Sequence, residues 1–538
     1  MSKVQKYWSN YTRRRFLGMS AMASAAMVGG TSLGLTSCKK EDELALSNEV
    51  EYEAIVVGSG YSGGVAALRL GEAGVKTLVL EMGKHWNKIQ GNEDFSDMTA
   101  PTQSSMWLSK KTFLPFGPSL SIQGDIHTGV LGKIEYPNMR VYVGRGLGGG
   151  SLVNGGMAVT PQKAIFEEFL PNINSDEMYS KYFPRVSAML EINDIPESFY
   201  QTTPFYQFSR AAEAEAHKAG FSTVKVPNVY SFSYMEKEQH NVVKKSALKG
   251  EVLYGNNYGK NSVDKSYIPA ALGTNNVTIH TLHRVDKITR GSDGRYELEV
   301  TQINDRGVSL ATKLYKAKYL FMAAGTSNTN ELLVKAREMG ELPELNKEVG
   351  EGWGPNGNIM CMRNEAKDRR GLKQSTMPVR GILNYDNPYA RVFAEIAPTP
   401  LGFETFSSTY LGVNISEQRS SYKFDSNTKS AVLQWQPSYA DQGVAATRYL
   451  MERLNNENGG SIITSVFNGG FSRNFTYHPL GGCILGKATD NYGRLKGYDN
   501  LYVVDGSLIP GNMSVNPFVT ITALAERCMD EIIAKDIV

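Results

Sequence analysis

Glu53-Ala54-Ile55-Val56-Val57-Gly58-Ser59-Gly60-Tyr61-Ser62-Gly63-Gly64-Val65-Ala66-Ala67-Leu68-Arg69-Leu70 is the stretch on which the fold turns. Residues 53–57 form a short apolar run of the kind a buried strand needs, and a helical pattern runs from about residue 65 to Gly74. Between them stands G-x-G-x-x-G, on Gly58, Gly60 and Gly63. A second strand follows at Lys76-Thr77-Leu78-Val79-Leu80, closed by Glu81. Strand, glycine turn, helix, strand and terminal acid together predict a dinucleotide-binding unit. Gly58 permits the tight turn, Gly60 lets backbone approach a pyrophosphate, and Gly63 lets the helix pack close to the strand. The helix N-terminus turns its free N–H groups and positive dipole end toward the phosphates. Glu81 can accept hydrogen bonds from ribose hydroxyls, and its charge repels a 2′-phosphate. The fingerprint alone does not separate FAD from NAD.

Working outward, residues 144–157 read Gly-Arg-Gly-Leu-Gly-Gly-Gly-Ser-Leu-Val-Asn-Gly-Gly-Met. Such glycine density predicts close backbone approach to something flat or phosphorylated, with a mobile hinge as the competing reading. It makes the glycines of this loop, Gly155 among them, candidate cofactor contacts. Tyr319-Leu320-Phe321-Met322-Ala323-Ala324-Gly325 is an apolar strand ending in Gly, and Asn500-Leu501-Tyr502-Val503-Val504-Asp505-Gly506 is another ending in Asp-Gly. Both look like sheet strands whose C-terminal ends meet a ligand, which adds Asp505 and Gly506 to the candidates. Nucleotide-type pieces at both ends of the chain predict a domain assembled from separated segments. The expected fold class is therefore α/β: a discontinuous Rossmann-like dinucleotide-binding domain from residues 51–86, 261–350 and 474–538, and an α+β substrate domain with a mixed or antiparallel sheet and helices from 87–260 and 351–473.

Late in the chain, Tyr477-His478-Pro479-Leu480-Gly481-Gly482-Cys483 and Asn516-Pro517-Phe518 each set one polar side chain beside Pro or Gly. A cofactor bound by the early segments can meet the imidazole of His478 and the carboxamide of Asn516, so both are candidate catalytic groups. An imidazole can orient an alcohol and help its proton leave. Taken without that setting, His478 reads as an ordinary structural histidine and Asn516 as a turn cap.

The chain has 538 residues, 41% hydrophobic and 21% charged, which is a globular composition. Its formal net charge of +3 owes everything to residues 1–37, where Lys3, Lys6, Arg13, Arg14 and Arg15 stand with no acid; without them the charge is −2. A near-neutral remainder gives no footprint for nucleic acid. Thr12-Arg13-Arg14-Arg15-Phe16-Leu17 resembles a twin-arginine export motif, and Leu35-Thr36-Ser37-Cys38 resembles a lipobox whose Cys becomes the lipidated first residue. Residues 1–37 thus read as a lipoprotein signal, and 38–50 as a linker. The apolar stretch between the motifs is long enough to span a membrane but weakly apolar for that. Expected localisation is a membrane-tethered lipoprotein exported by the twin-arginine route. Lys39-Lys40-Glu41-Asp42-Glu43 reads equally as a surface-export tag or a solvated linker. Cys361, Cys483 and Cys528 are scattered, so neither a metal site nor a disulfide framework is expected.

With these motifs in hand, the chain resembles the glucose–methanol–choline (GMC) oxidoreductases, which bind FAD. Within them it is similar to the bacterial cholesterol oxidases that hold FAD without a covalent bond. The resemblance runs from about residue 51 to residue 538. It is carried by 58–63 with Glu81, by 144–157, by Gly352-Trp353-Gly354-Pro355-Asn356-Gly357-Asn358, by Phe393-Ala394-Glu395-Ile396-Ala397-Pro398, by Gly402-Phe403-Glu404-Thr405, by 477–483 and by 505–518, in that order. It implies that His478 hydrogen-bonds a steroid hydroxyl and that Asn516 sits beside flavin and substrate and favours the reduced flavin. It implies that Glu404 is the carboxylate that moves a proton during double-bond isomerisation, although a surface role is open to it. Asn154 matches an Asn linked to a narrow dioxygen path and Met157 a neighbour of the ring. Gly60, Tyr61, Glu81, Gly150, Val285, Gly506 and Phe518 match positions in contact with FAD. The chain departs from the pattern in its lipid tether and at Phe406, where Trp is expected.

The resemblance implies FAD-dependent oxidation of a 3β-hydroxysteroid, with dioxygen as acceptor, followed by 5-ene to 4-ene isomerisation. Two other readings stay open: an FAD dehydrogenase of another alcohol with a different acceptor, and a lipid-binding surface lipoprotein without redox activity. A steroid pocket is large and apolar with few polar groups at its inner end. Met98, Met106, Trp107, Phe113 and Phe116 could form an apolar lid over it, or ordinary packing.

Overall fold

The computed structural model describes residues 46–86, 95–113, 121–364, 370–399, 406–467 and 469–538. The leader, Cys38, Phe116 and Glu404 lie outside the described residues.

The apolar run at 53–57 is the C-terminal half of a strand, Leu46–Val57. It is flanked in parallel register by Thr77–Leu80 on one side and by the long strand Ser309–Met322 on the other. Val277–His280 extends the sheet beyond Thr77–Leu80, and Leu501–Val503 pairs with the last residues of Ser309–Met322, again in parallel. Parallel strands need a crossover, and the helix Tyr61–Glu72 supplies the one between Leu46–Val57 and Thr77–Leu80. Tyr296–Ile303 and His283–Arg290 complete a seven-stranded sheet as an antiparallel edge. The four nucleotide-type strands read from the sequence are thus neighbours. Because they run parallel, all their C-terminal ends, at Val57, Leu80, Met322 and Val503, emerge on one side.

That alignment depends on small residues. Tyr61–Glu72 is buried along most of its length, between the sheet and the C-terminal helix Phe518–Ile532. Gly58 has φ of +100°, and a Cβ on it would lie 2.3 Å from the Ala323 carbonyl oxygen. A Cβ on Gly63 would lie 2.1 Å from the Gly58 carbonyl oxygen. The first glycine is therefore needed for its left-handed conformation and for the approach of the neighbouring strand, and the third for helix-to-turn packing.

A six-stranded antiparallel sheet stands apart from the first. Its order is Ser461–Ile462, Asn358–Asn364, Ser407–Asn414, Val392–Ala397, Arg380–Asn384, Ser222–Lys225. In Val392–Ala397 every second side chain shares a face, so Phe393, Glu395 and Ala397 point one way. Glu395 and Met360 both pair with Leu411, which puts all three side chains in one row. The opposite face meets the helix Asp441–Asn458. A smaller sheet joins the site's two late and early pieces: Phe475–Thr476, just before His478, pairs with Met139–Gly144, which leads into the 144–157 loop. The α/β class with several sheets agrees with the sequence reading. No helix among the described residues is long and apolar enough to cross a membrane.

Gly63→Ala forces backbone apart at the fingerprint, so it destabilises the fold by about 1–3 kcal/mol, as overpacking does. A thermal unfolding midpoint equal to the parent's contradicts this packing.

Candidate active site

A cavity of about 670 Å³ begins at the C-terminal ends of the nucleotide strands and continues between the two large sheets. Its first wall is the fingerprint. Ser59 donates to Glu81 through its N–H (3.1 Å) and its hydroxyl (2.6 Å), and Gly83 N–H donates to the other carboxylate oxygen at 2.8 Å. Burial raises the Glu81 pKa, and these hydrogen bonds oppose the rise. Gly148 N–H donates to Ser59 Oγ at 3.1 Å, tying the second glycine loop to the first. A Cβ on Gly149, where φ is +55°, would lie 2.8 Å from Gly60 Cα. Part of the glycine density at 144–157 therefore serves loop-on-loop packing. Ligand approach remains at Gly150, where a Cβ would meet nothing within 4 Å.

The same loop is held from below. Lys260, 1% exposed, donates to the carbonyls of Leu152 (3.5 Å) and Asn154 (2.5 Å), and burial pushes its pKa down to about 7. Asn154 donates to the Tyr61 hydroxyl at 2.7 Å, and its Oδ1 accepts from Gly156 N–H at 3.1 Å. Tyr61 in turn stacks on Phe518, ring centres 4.7 Å apart and 14° from parallel. Such a pair contributes about 0.5–1.5 kcal/mol beyond its burial. Phe518 opens a 15-residue helix, so the N–H groups of that helix end face the cavity with the positive end of its dipole.

Polar side chains gather at the inner end. Glu395 is 4% exposed, hydrogen-bonded to Asn516, and raised to about 8 by burial, which the Asn516 bond only partly offsets. Burial pushes His478 down to about 3, so its ring is neutral across the working range. Thr476 Oγ1 accepts from His478 N–H at 3.0 Å and fixes the turn. Tyr477 donates to Met360 Sδ at 3.2 Å and packs edge-on against His478. Glu395 Oε1, Asn516 Oδ1 and His478 Nδ1 are all buried without a partner. Buried polar atoms are otherwise almost always satisfied, and a cluster of exceptions in one cavity marks a place for a ligand. Beyond them the walls turn apolar, with Met98, Leu131, Val252, Leu253, Pro378 and Phe475.

The structure brings together almost every residue expected from the sequence. Gly58, Gly60, Tyr61, Glu81, Gly150, Asn154, Gly155, Met157, Val285, Asp505, Gly506, Phe518, His478 and Asn516 all line the cavity. Gly63 does not; it packs inside the turn. The carboxylate of Asp505 is already engaged, accepting from Ser507 and from Gly325 N–H (2.9 Å) and Thr329 Oγ1 (2.6 Å). It joins the last strand to the turn before the helix Thr326–Glu338. Glu404 lies outside the described residues; among the described ones, the carboxylate hydrogen-bonded to Asn516 is Glu395. A signal for it was present, an acid inside the apolar strand Val-Phe-Ala-Glu-Ile-Ala, on the face of Phe393. Lys260 and Ser59 had no signal of their own. Among the expected lid residues, Met98 lines the cavity, whereas Met106 is core, packed with Trp86, Phe95 and Leu131. Phe406 is 54% exposed.

A nucleotide cradle continuous with buried, unsatisfied acid–base groups defines the class, a dinucleotide-dependent oxidoreductase. Family models described as GMC oxidoreductase match residues 52–337 and 442–525, and one described as GMC oxidoreductase, C-terminal, matches 356–468. The chain belongs to the GMC oxidoreductase family, whose members generally bind FAD. It is 23% identical to a cholesterol oxidase of Acinetobacter baumannii over 91% of this chain and 95% of that one. A cholesterol oxidase of Mycobacterium tuberculosis is also 23% identical, over 89% and 90%. A long-chain-alcohol oxidase of Arabidopsis thaliana is 22% identical over 92% of this chain and 68% of that one. Among solved structures, a fungal aryl-alcohol oxidase superposes with TM-score 0.61 at 14% identity, covering 90% of this chain and 99% of that one. Pyridoxine 4-oxidase from Mesorbium loti gives 0.59 at 14%, over 89% and 99%. The cradle fits FAD: backbone N–H groups and open glycine positions face the phosphate end, and Glu81 is placed for ribose.

Asn154→Ala leaves the Tyr61 hydroxyl and Gly156 N–H without partners, at about 1–3 kcal/mol for such a loss. Flavin released on dilution, read by its fluorescence, increases in this variant. Flavin retention equal to the parent's contradicts the role of Asn154 in the cradle.

Proposed function

We propose that the protein oxidises a 3β-hydroxysteroid with dioxygen, giving hydrogen peroxide, and isomerises the 5-ene-3-one product to the 4-ene-3-one. The observation that carries this reading is the Glu395–Asn516 pair, which lines one cavity with His478 and with the apolar wall of Met98, Leu131, Val252, Leu253, Pro378 and Phe475. An apolar polycyclic alcohol matches that distribution of polar and apolar wall. The relatives named cholesterol oxidase support it, at low identity over nearly the whole chain.

Bound FAD supplies the acceptor for the carbon-bound hydride. The remaining work falls to the chain. His478 lines the cavity, and its neutral imidazole can accept the hydrogen bond of a substrate hydroxyl and orient it. In total the alcohol gives up two electrons and two protons, which dioxygen takes up as hydrogen peroxide. Isomerisation then requires one base to remove a proton from the carbon between ketone and double bond and return it further along. We assign that base to Glu395; Glu404, the carboxylate the resemblance implies, lies outside the described residues. Its carboxylate sits in an apolar wall that raises its proton affinity toward the task, and the Asn516 amide holds its orientation. Apolar walls keep water from intercepting the shifted double bond. Export by the twin-arginine route and tethering through a lipidated Cys38 complete the proposal, on the motifs at 12–17 and 35–38.

Glu395→Gln keeps a hydrogen-bonding side chain but no base. Cholesterol is then still oxidised, hydrogen peroxide still forms, and the unconjugated 5-ene-3-one accumulates; normal yields of the 4-ene-3-one from this variant return the base to another residue. The pH dependence has a definite sign. Glu395 is raised, so its carboxylate fraction grows as pH rises through about 8. The share of unconjugated ketone released therefore falls between pH 6 and pH 9, the range that brackets that value by roughly a unit or more. A share that stays constant over this range removes Glu395 from the proton shift.

A further inference from the structure

Apart from the terminal Val538, the most exposed large hydrophobic side chains among the described residues are Leu372, at 73%, and Val242, at 70%. Each stands next to lysines. Lys244 and Lys245 follow Val242, and Lys373 follows Leu372. The two segments share an anchor: Lys245 Nζ and Lys373 Nζ each lie 5.9 Å from the centre of the Phe205 ring. Lys244 Nζ lies 5.9 Å from the centre of the Tyr258 ring. None of these three lysines forms an ion pair among the described residues. Two acids of the same stretch are turned inward, away from these lysines. Glu238 is fully buried, accepting from Tyr230, Ser246 and Leu248, and Glu251 is fully buried with Ser246, Asn257 and Lys249. Without its leader the chain is slightly acidic, so the patch is not part of a general positive excess.

Both segments continue into the cavity wall. Thr376 donates through its N–H and its hydroxyl to the Ala247 carbonyl, both at 3.2 Å, which binds one segment to the other. Thr376 and Pro378 from one, and Val252 and Leu253 from the other, line the cavity. Lys373 is three residues from Thr376, about 10 Å of extended chain. Protruding aliphatic side chains interleaved with unpaired lysines make the pattern of a surface that rests on a bilayer: the lysines meet lipid phosphates while the aliphatics enter the headgroup boundary.

We propose that Val242, Lys244, Lys245, Leu372 and Lys373 form a docking face for an anionic phospholipid bilayer, which brings the wall formed by Thr376 and Val252 to the lipid surface. Its purpose, delivery of a bilayer-resident sterol, rests on the function proposed above; the surface itself does not. The face acts in addition to any acyl chain on Cys38 and orients the body that such a chain only tethers.

The test uses full-length holoprotein carrying Cys38→Ser, so that no acyl chain contributes, and sterol-free vesicles. One set is phosphatidylcholine and the other is phosphatidylcholine mixed with phosphatidylglycerol. The parent binds the mixed vesicles more tightly in a sedimentation assay. Replacing Lys244, Lys245 and Lys373 by Gln weakens that binding on the order of 100-fold, the product expected for three lysines near an anionic surface. Arg at the same positions retains it, and Val242→Ser with Leu372→Ser weakens binding to both vesicle types. The basic leader is common to all variants and cancels in the comparison. Flavin absorbance and oxidation of a detergent-dispersed substrate stay at the parent's level, which shows that the variants are folded. Equal binding of parent and Gln variant to the mixed vesicles overturns the proposal, as does a parent that does not distinguish the two sets. Because the vesicles carry no sterol, either result speaks against docking whatever alcohol the cavity oxidises.

Discussion

The contact between the two glycine turns sets the position of everything else in the cavity, because no side chain stands between them. Gly60 and Gly149 meet backbone to backbone, and Ser59 bonds to Glu81 on one side and to Gly148 on the other. The first turn is fixed by four parallel strand ends. The second is therefore fixed by the first, and with it Asn154, Tyr61 and Phe518. A shift of even a fraction of an ångström at Gly149 would move the wall that faces the nucleotide. Interiors are packed too densely for such a shift to be absorbed locally.

From that fixed wall the rest of the site follows by burial. The helix Phe518–Ile532 starts at the Tyr61–Phe518 stack, so the residue two positions before it, Asn516, has little freedom. Asn516 faces Glu395 across the gap between the two large sheets. A carboxyl held in an apolar wall favours its neutral form, and an imidazole in the same surroundings does too. Burial therefore shifts the two pKa values in opposite directions, Glu395 raised and His478 lowered. Such separation is what an orienting group and a proton-shifting base require if they are to share one cavity.

Much of this was legible in the sequence, for reasons that differ from element to element. The fingerprint was readable because each glycine answers a local steric demand. The strands ending at Gly325 and Asp505 were readable because buried parallel strands are continuous apolar runs. The inner end was harder. His478 and Asn516 stood out beside Pro and Gly, but their carboxylate partner did not. Glu404 came from the family resemblance and lies outside the described residues, while Glu395 was only one letter of a matching strand. What brings Glu395 to the cavity is which face of Val392–Ala397 meets it, and register is a property of the sheet. Lys260 was invisible for a similar reason, since its role is a contact with carbonyls more than a hundred positions away. The glycines at 144–157 were read as facing a ligand or as a mobile hinge, whereas several answer to the first turn, and Met106, read as lid or ordinary packing, is core.

Anaerobic titration of the flavin-loaded protein tests the proposed chemistry most directly. Stepwise addition of cholesterol without dioxygen, followed by the visible absorbance of the bound flavin, reports whether this cavity passes the electrons of a 3β-hydroxysteroid to the cofactor. The expected result is full bleaching by the sterol and none by simple straight-chain alcohols at the same concentration. Absorbance unchanged by the sterol, or bleached equally by a simple alcohol, would contradict it.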